Sequence, residues 1–433
     1  MKLSLILRRY DLLLVVVLVF FATLFSLRPD SVARNVQGQK SQPNLQHSGF
    51  EALEVAEHLS REGKFSSPFQ ALETGPSAHL APGFPFVVAS IFRVFGDGPL
   101  GASVLAWLTA LVFALQLALL PYLAIRLGLP PIAGLLAALV FLTGDFASPL
   151  WEVNYVGLML ILLALSSLKD KGAPVGNRQI WAMSLLWGLL LLFTPVVIII
   201  LPFWLLWIRS YRRISTRALI ALALIPIFMV TPWLVRNYAV FHKFVFIRGN
   251  LGLELATANN SCASYSLHTN LADGCYARNH PTQSLEQAQR VRALGEIEYN
   301  HQRLQEFLTW LRRNPVRFAT LSAERFAAFW FPWDPGQSLT SIPPGLIMTW
   351  ILTALSFGGL WKLWNTNRPA CTYLLMWLVL FPVSYYFIVA FEPRHRVPIL
   401  WATFIPGWYY ALELLGGNWD SFLNPRMREQ NAR

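Results

Sequence analysis

The sequence predicts an all-α polytopic integral membrane protein, and three observations predict it. Of 433 residues, 55% are hydrophobic and 13% charged, a balance far too apolar for a soluble domain of this size. The apolar residues gather into about ten runs, each near the roughly 20 residues a helix needs to cross a bilayer. Lys and Arg give a net charge of +12, but they sit in short clusters beside the apolar runs. There they orient helices and meet anionic lipid headgroups, so the expected partners are membrane lipids and not nucleic acid.

The first run, 11–27, follows Lys2, Arg8 and Arg9 and resembles a secretory signal, yet no small-x-small cleavage site follows it between Ser26 and Asn35. It reads as a retained first helix with a cytoplasmic N-terminus. Short basic loops recur at Arg126, Lys169 to Arg178, Arg209 to Arg217, Lys362 to Arg368, and in the tail at Arg426 and Arg428. The positive-inside rule makes these cytoplasmic. Between them lie runs at 101–125, 131–149, 151–168, a pair within 180–208, then 218–235, 345–361, 371–391 and 397–415. Thr194-Pro195 and Pro202 divide 180–208 into two short helices. The expected organisation is an N-terminal transmembrane module over 1–235, an excursion and helical cap over 236–344, C-terminal spans over 345–416 and a tail over 417–433.

This parity sends 28–100 and 236–344 to the non-cytoplasmic side. Phe84 to Phe95 is apolar but short and carries Arg93, so it is expected to lie at the interface. If it crosses instead, the downstream parity flips. Before it, Phe50, Leu53, Val55, Ala56 and Leu59 make an apolar stripe on a juxtamembrane helix ended by Gly63. Glu51 has a structural explanation there, since Ser48-x-x-Glu51 spells a capping box. A Pro- and Gly-rich stretch from Thr74 to Pro85 follows and predicts an extended path. In the second excursion, Leu285 through Leu311 carry helical periodicity and Asn314-Pro315 starts another helix. Arg312, Arg313 and Arg317 there form either a headgroup-facing or a solvated basic face. Trp330, Trp333 and Trp350 read as interfacial anchors.

At these residues the chain resembles bacterial membrane glycosyltransferases of the C-type superfamily, such as protein O-mannosyltransferases and the lipid A aminoarabinose transferase. The likeness runs through Glu51, the segment ending at Pro85, Phe95-Gly96, Thr231 to Tyr238, Gly252 to Leu255 with Asn259-Asn260, His280-Pro281, Gly295 to Asn300 and Pro393 to Pro398. Each motif is weak and their order carries the resemblance. Many members show an Asp-Glu pair where this chain has Phe50-Glu51. The resemblance implies Glu51 as the catalytic carboxylate and location in a bacterial inner membrane with a periplasmic site. An acid in the turn after 131–149 often joins such sites, which implies Glu152, with Asp145 its rival; a water-facing turn residue is the ordinary alternative.

Chemistry leads to the same place. A transferase on that face lacks nucleotide sugars and needs a donor carried by lipid, such as a polyprenyl-phosphate sugar. Phosphate leaves readily, so the enzyme chiefly needs a base for the acceptor hydroxyl and cations for the phosphate. Arg236, Arg394 and Arg396 are the candidate phosphate groups, although arginines at span ends also snorkel to headgroups. His79, Asn237 and His395 are candidate substrate-binding residues, while Lys243 and Arg248 read as solvated or headgroup-facing. The acceptor is left as a lipid, a glycan or a protein. The scattered acids offer no tight oxygen cluster for a divalent metal such as Mg²⁺ or Mn²⁺, so a metal is left open.

Cys262 and Cys275 share the second excursion and are expected to form a disulfide; a zinc site with His268 and His280 is the rival, with spacings that match no common module. Cys371 reads as a small apolar residue. From other classes, a transporter or flippase of lipid-linked glycans, or a non-catalytic envelope assembly protein, would share the apolar content. The lack of an obvious internal repeat and the placement of charges in loops stand against the transporter.

Overall fold

The computed structural model describes residues 2–26, 51–143, 151–168, 175–333 and 342–416, and the described residues form helices and no strand. The membrane-type helices are α1 (Lys2–Ser26), followed after the first excursion by α4 (Pro99–Ala118), α5 (Leu120–Leu127), α6 (Pro131–Thr143), α7 (Val153–Ser167), α8 (Asn177–Phe193), α9 (Leu201–Arg212), α10 (Thr216–Phe241), α17 (Pro344–Thr366), α18 (Arg368–Leu380), α19 (Val383–Phe387) and α20 (Trp401–Leu414). The first excursion supplies α2 (Glu51–Glu62) and α3 (Gly83–Phe95). The second supplies α11 (Leu251–Ala258), α12 (Leu267–Ala272), α13 (Cys275–Asn279), α14 (Leu285–Leu294), α15 (Glu296–Arg313) and α16 (Pro315–Trp330).

Among the described residues, four helices are long and apolar enough to cross a membrane: Pro99–Leu127, Thr216–Phe241, Pro344–Thr366 and Arg368–Phe387. Four further apolar helices are shorter, at Leu13–Phe25, Gly83–Phe95, Pro131–Leu142 and Val153–Ser167. About ten full-length spans are thus not shown by continuous helices among the described residues. Proline accounts for much of the division. The run 180–208 breaks at Thr194, where a 3₁₀ turn, Pro195–Ile199, joins α8 to α9. The last run opens as a 3₁₀ segment, Pro393–Ile399, before α20. A proline removes a helical N–H and its ring crowds the preceding turn.

The membrane core is close-packed, with Trp187, Trp204, Trp377 and Trp401 fully buried. Helices α17 and α20 approach to backbone contact. A Cβ on Gly359 would lie 2.0 Å from the Pro406 carbonyl oxygen, and one on Gly407 would lie 2.5 Å from that of Leu352. Small residues at such crossings let helices meet where lipid offers no hydrophobic drive. By contrast α10 turns Ile220, Leu224, Ile227 and Phe228 outward, as a lipid-facing helix does.

The two excursions dock on each other. The stretch 65–79 is bridged to itself at Ser66 and Pro76 and then held from the second excursion, where Gly249 N–H donates to the Ala78 carbonyl at 2.7 Å. Glu296 accepts the Ala78 N–H, also at 2.7 Å. Gly252 lets α11 lie against α15, since a Cβ there would meet the Asn300 carbonyl oxygen at 1.9 Å. Cys262 and Cys275 form a disulfide with Cα atoms 5.8 Å apart, so neither is free for zinc. Cys371 is buried. Gly63 ends α2 in the left-handed region, φ 70°. Ser48, the other half of the expected capping box, and Asp145 lie outside the described residues.

Candidate active site

A cavity of about 470 Å³ opens where α2, the stretch after Ser77, α11, the turn at His280 and the 384–395 segment converge. Its wall is divided in character. Phe84, Pro85, Phe193, Val196, Ile388 and Val389 make an apolar side, while Glu51, Glu152, Glu254, Arg248, Arg394 and His395 supply charge and polarity. Clefts of this kind, mostly apolar with a few convergent polar groups, are the usual form of a small-molecule site.

Glu51 is the first residue of α2 and is 7% exposed. Amphipathicity explains its placement, because α2 packs Ala52, Leu53, Val55 and Ala56 inward and carries the carboxylate in with them. Thr282 donates its hydroxyl to Glu51 Oε1 at 2.9 Å. Burial, and then the nearby charge of Glu254, push the Glu51 carboxyl up to about 7, against the pull of Thr282, Arg394 and Arg248. A carboxyl held near neutrality can accept a proton at working pH.

His79 and His280 flank Glu51; one ligand-capable atom from each of the three lies within 4.8 Å of the others. Burial, then Arg248, keeps His79 well below the usual imidazole range. Burial, then Arg303, lowers His280 to about 3. Both rings are thus neutral at neutral pH. Phe69 packs edge-on against His79 and His280 at 5.0 and 5.9 Å, and Tyr276 stacks on His280 at 4.6 Å. Two imidazoles and a carboxylate are compatible with a divalent metal, and suit Zn²⁺ or Mn²⁺ better than Mg²⁺. However, His280 Nδ1 accepts the Thr282 backbone N–H at 3.2 Å, which leaves Nε2 as the protonated nitrogen. To offer Nε2 to a metal, His280 would have to carry its proton on Nδ1 instead and give up that hydrogen bond.

The expected arginines divide. Arg394 lines the cavity, its guanidinium 3.0 Å above the Trp151 ring centroid and 2.7 Å from Glu392 Oε2. Arg248, expected to face solvent or headgroups, instead lines the cavity and donates its Nε–H to the His79 carbonyl at 3.0 Å. Its terminal nitrogen lies 3.8 Å from Glu254 Oε1. Docking of Gly249 on Ala78 turns it inward.

Arg236, Asn237 and Arg396 are not among the residues lining the cavity. Arg236 donates to the carbonyls of Ser77 and Phe65 at 2.7 and 2.8 Å and lies over the Trp233 ring. Asn237 donates to the Val245 carbonyl at 3.3 Å. Arg396, 3% exposed, reaches the Trp330 carbonyl and Thr353 Oγ1, each at 3.1 Å. The terminal guanidinium nitrogens of Arg236 and Arg396 and the Asn237 amide nitrogen are taken up within the fold. His395 lines the cavity, stacks on Tyr385 at 4.6 Å and accepts the Glu392 N–H. Glu152 lines it beside Trp151.

Glu254, which the sequence reading did not select, joins the site from α11. Burial raises its carboxyl while Arg248 and Arg394 oppose the rise. A signal was available, because it is the single acid in the apolar helix LGLELATA.

No family model and no curated protein matches the chain. Among solved structures, it is similar to the archaeal oligosaccharyltransferase AglB from Archaeoglobus fulgidus in complex with an inhibitory peptide and a dolichol-phosphate, with a TM-score of 0.51 at 14% identity over 98% of this chain. The apo form of the Archaeoglobus fulgidus enzyme aligns at TM-score 0.46 and 13% identity over 95% of this chain, and its complex with Zn and sulfate at 0.49 and 12% over 96%. The chain spans about half the length of these neighbours, 52%, 52% and 51% respectively. The chain is a helical membrane protein whose fold is similar to about half of the archaeal oligosaccharyltransferase AglB.

Proposed function

We propose that the chain is a membrane glycosyltransferase that moves a sugar from a polyprenyl-phosphate donor to an acceptor hydroxyl on the non-cytoplasmic face of a bacterial inner membrane. One observation carries this reading: a single cavity joins an apolar wall, two guanidinium groups and a buried carboxyl poised at about 7. The apolar wall suits the first isoprene units, and Arg248 and Arg394 suit the phosphate. A neighbour of the same fold holds a dolichol-phosphate and a peptide, which supports a lipid-phosphate donor and keeps a peptide among the acceptors.

In this mechanism Glu51 accepts the proton of the acceptor hydroxyl as its oxygen attacks the anomeric carbon. The bond to the phosphate oxygen breaks, and the electron pair leaves with a phosphate held by Arg248 and Arg394. Attack opposite the leaving group inverts the anomeric centre. Neutral His280 and His79 orient the acceptor, and Glu254 holds Arg248 in place. A divalent ion, when bound, would be held by Glu51, His79 and His280 and would supply Lewis acidity; no step here depends on it.

The test is release of free polyprenyl phosphate from a panel of polyprenyl-phosphate sugars, with host membrane extract as acceptor source. Wild type should release it, and Glu51→Gln should fall by a factor of about 100 or more, the usual contribution of a positioned base. Equal release by both variants would remove Glu51 from the chemistry. No release by wild type with any donor would favour a transporter or assembly role.

A further inference from the structure

A second cavity, also about 470 Å³, lies where the start of α8, the end of α9 and the start of α10 meet. Helix α10 is 26 residues long, so its two ends stand about 39 Å apart at 1.5 Å per residue. The active-site cavity is reached from the far end, through Val245 to Arg248, which places the second cavity near the opposite face of the membrane.

Arg212, Arg213 and Arg217 all line this cavity, and no carboxylate is among its lining residues. Arg213 caps α9 in the left-handed region, φ 51°, a position glycine fills at less cost. The chain accepts that strain and gains a third guanidinium at the rim. Ser215 caps α10 through a hydrogen bond from the Ala218 N–H, leaving the positive end of the long helix beside the same space. Ile180, Trp181, Ile214 and Ile225 line the cavity too. The apolar surface then continues outward along Trp181, Leu185, Ile220 and Leu224, each more than 40% exposed.

We propose that this cavity binds the phosphate headgroup of an anionic membrane glycerophospholipid, with its acyl chains lying along α8 and α10. Guanidinium forks match phosphate oxygens in pairs, and basic pockets between membrane helices commonly take such headgroups. Free phosphate shares the head chemistry but has no use for the apolar continuation, which is why the lipid is favoured. The site is independent of the transferase reading.

The test uses the full chain in detergent and counts lipid adducts by native mass spectrometry during titration with phosphatidylglycerol, phosphatidylcholine or inorganic phosphate. Wild type should retain phosphatidylglycerol over phosphatidylcholine. Arg213→Gln with Arg217→Gln, both exposed positions lining the cavity, should weaken that retention about 30-fold, the effect of losing two direct guanidinium–phosphate contacts. Arg209→Gln with Arg368→Gln removes equal charge from exposed positions outside the cavity and should leave retention as in wild type. Unchanged binding in the first pair, or equal loss in the control pair, overturns the site. Displacement of the lipid by inorganic phosphate at equal concentration overturns the lipid as its occupant.

Discussion

If Glu51 is the base, the acid limb of the pH–rate profile should be movable through Thr282 alone. The Thr282 hydroxyl donates to Glu51 Oε1 at 2.9 Å, and this bond favours the ionised carboxylate, which burial and Glu254 disfavour. A hydrogen bond to a charged group is worth about 1.5–3 kcal/mol, and one pKa unit corresponds to 1.36 kcal/mol. Thr282→Val keeps the shape and removes the donor, so the Glu51 pKa should rise by about 1–2 units. The sign follows from the role. A base must be ionised, so the rate falls as pH drops through its pKa, near 7 in wild type. In the variant the limb should lie near 8–9, giving roughly a tenth of the wild-type rate at neutral pH and recovery above the new limb. The assay is kcat/KM for polyprenyl-phosphate release from pH 5.5 to 10. A limb that stays in place, or a loss that does not recover in alkali, would refute the assignment of the titrating group to Glu51.

Other consequences concern stability and binding. Because folding raises the Glu51 pKa from 4.5 to about 7, the folded state holds that proton more tightly. The stability it confers is present below 4.5 and lost as pH rises through 7; Glu51→Gln should therefore be more stable than wild type at pH 8 by about 3 kcal/mol, and equal to it at pH 4, by thermal unfolding. Arg236→Gln and Arg396→Gln each strand buried carbonyls or hydroxyls, so each should lose about 2 kcal/mol or more of stability while the surviving folded fraction keeps wild-type KM. Arg394→Gln should raise KM for the donor, and because it also removes the partner of the partly buried Glu392 carboxylate, a loss of melting temperature should accompany the rise. Replacing Cys262 and Cys275 by Ser opens a 13-residue separation and should cost about 3 kcal/mol in chemical denaturation.

Apolar runs and their basic flanks were readable because membrane insertion depends on local composition, and the break at Thr194-Pro195 was readable because proline acts locally. The helix around Glu51 was readable for the same reason. What escaped depends on pairings across long separations. Nothing near Arg248 in sequence says that Gly249 docks on Ala78, which is what turns that arginine into the cavity. Arg236 and Arg396 have the sequence surroundings of phosphate ligands, yet the carbonyls of Ser77, Phe65 and Trp330 accept their hydrogen bonds. Those acceptors come from segments 66 to 171 residues away. Glu254 shows the intermediate case, legible as an acid in an apolar helix but meaningful only once α11 meets α2 across the cavity.

The measurement closest to the central claim is a structure of the Glu51→Gln protein with a polyprenyl-phosphate sugar bound. The phosphate should lie between Arg248 and Arg394, the isoprene chain against Phe84, Phe193 and Ile388, and the anomeric carbon should face residue 51. A donor phosphate seated elsewhere, with Arg248 and Arg394 still bound to Glu254 and Glu392, would contradict it.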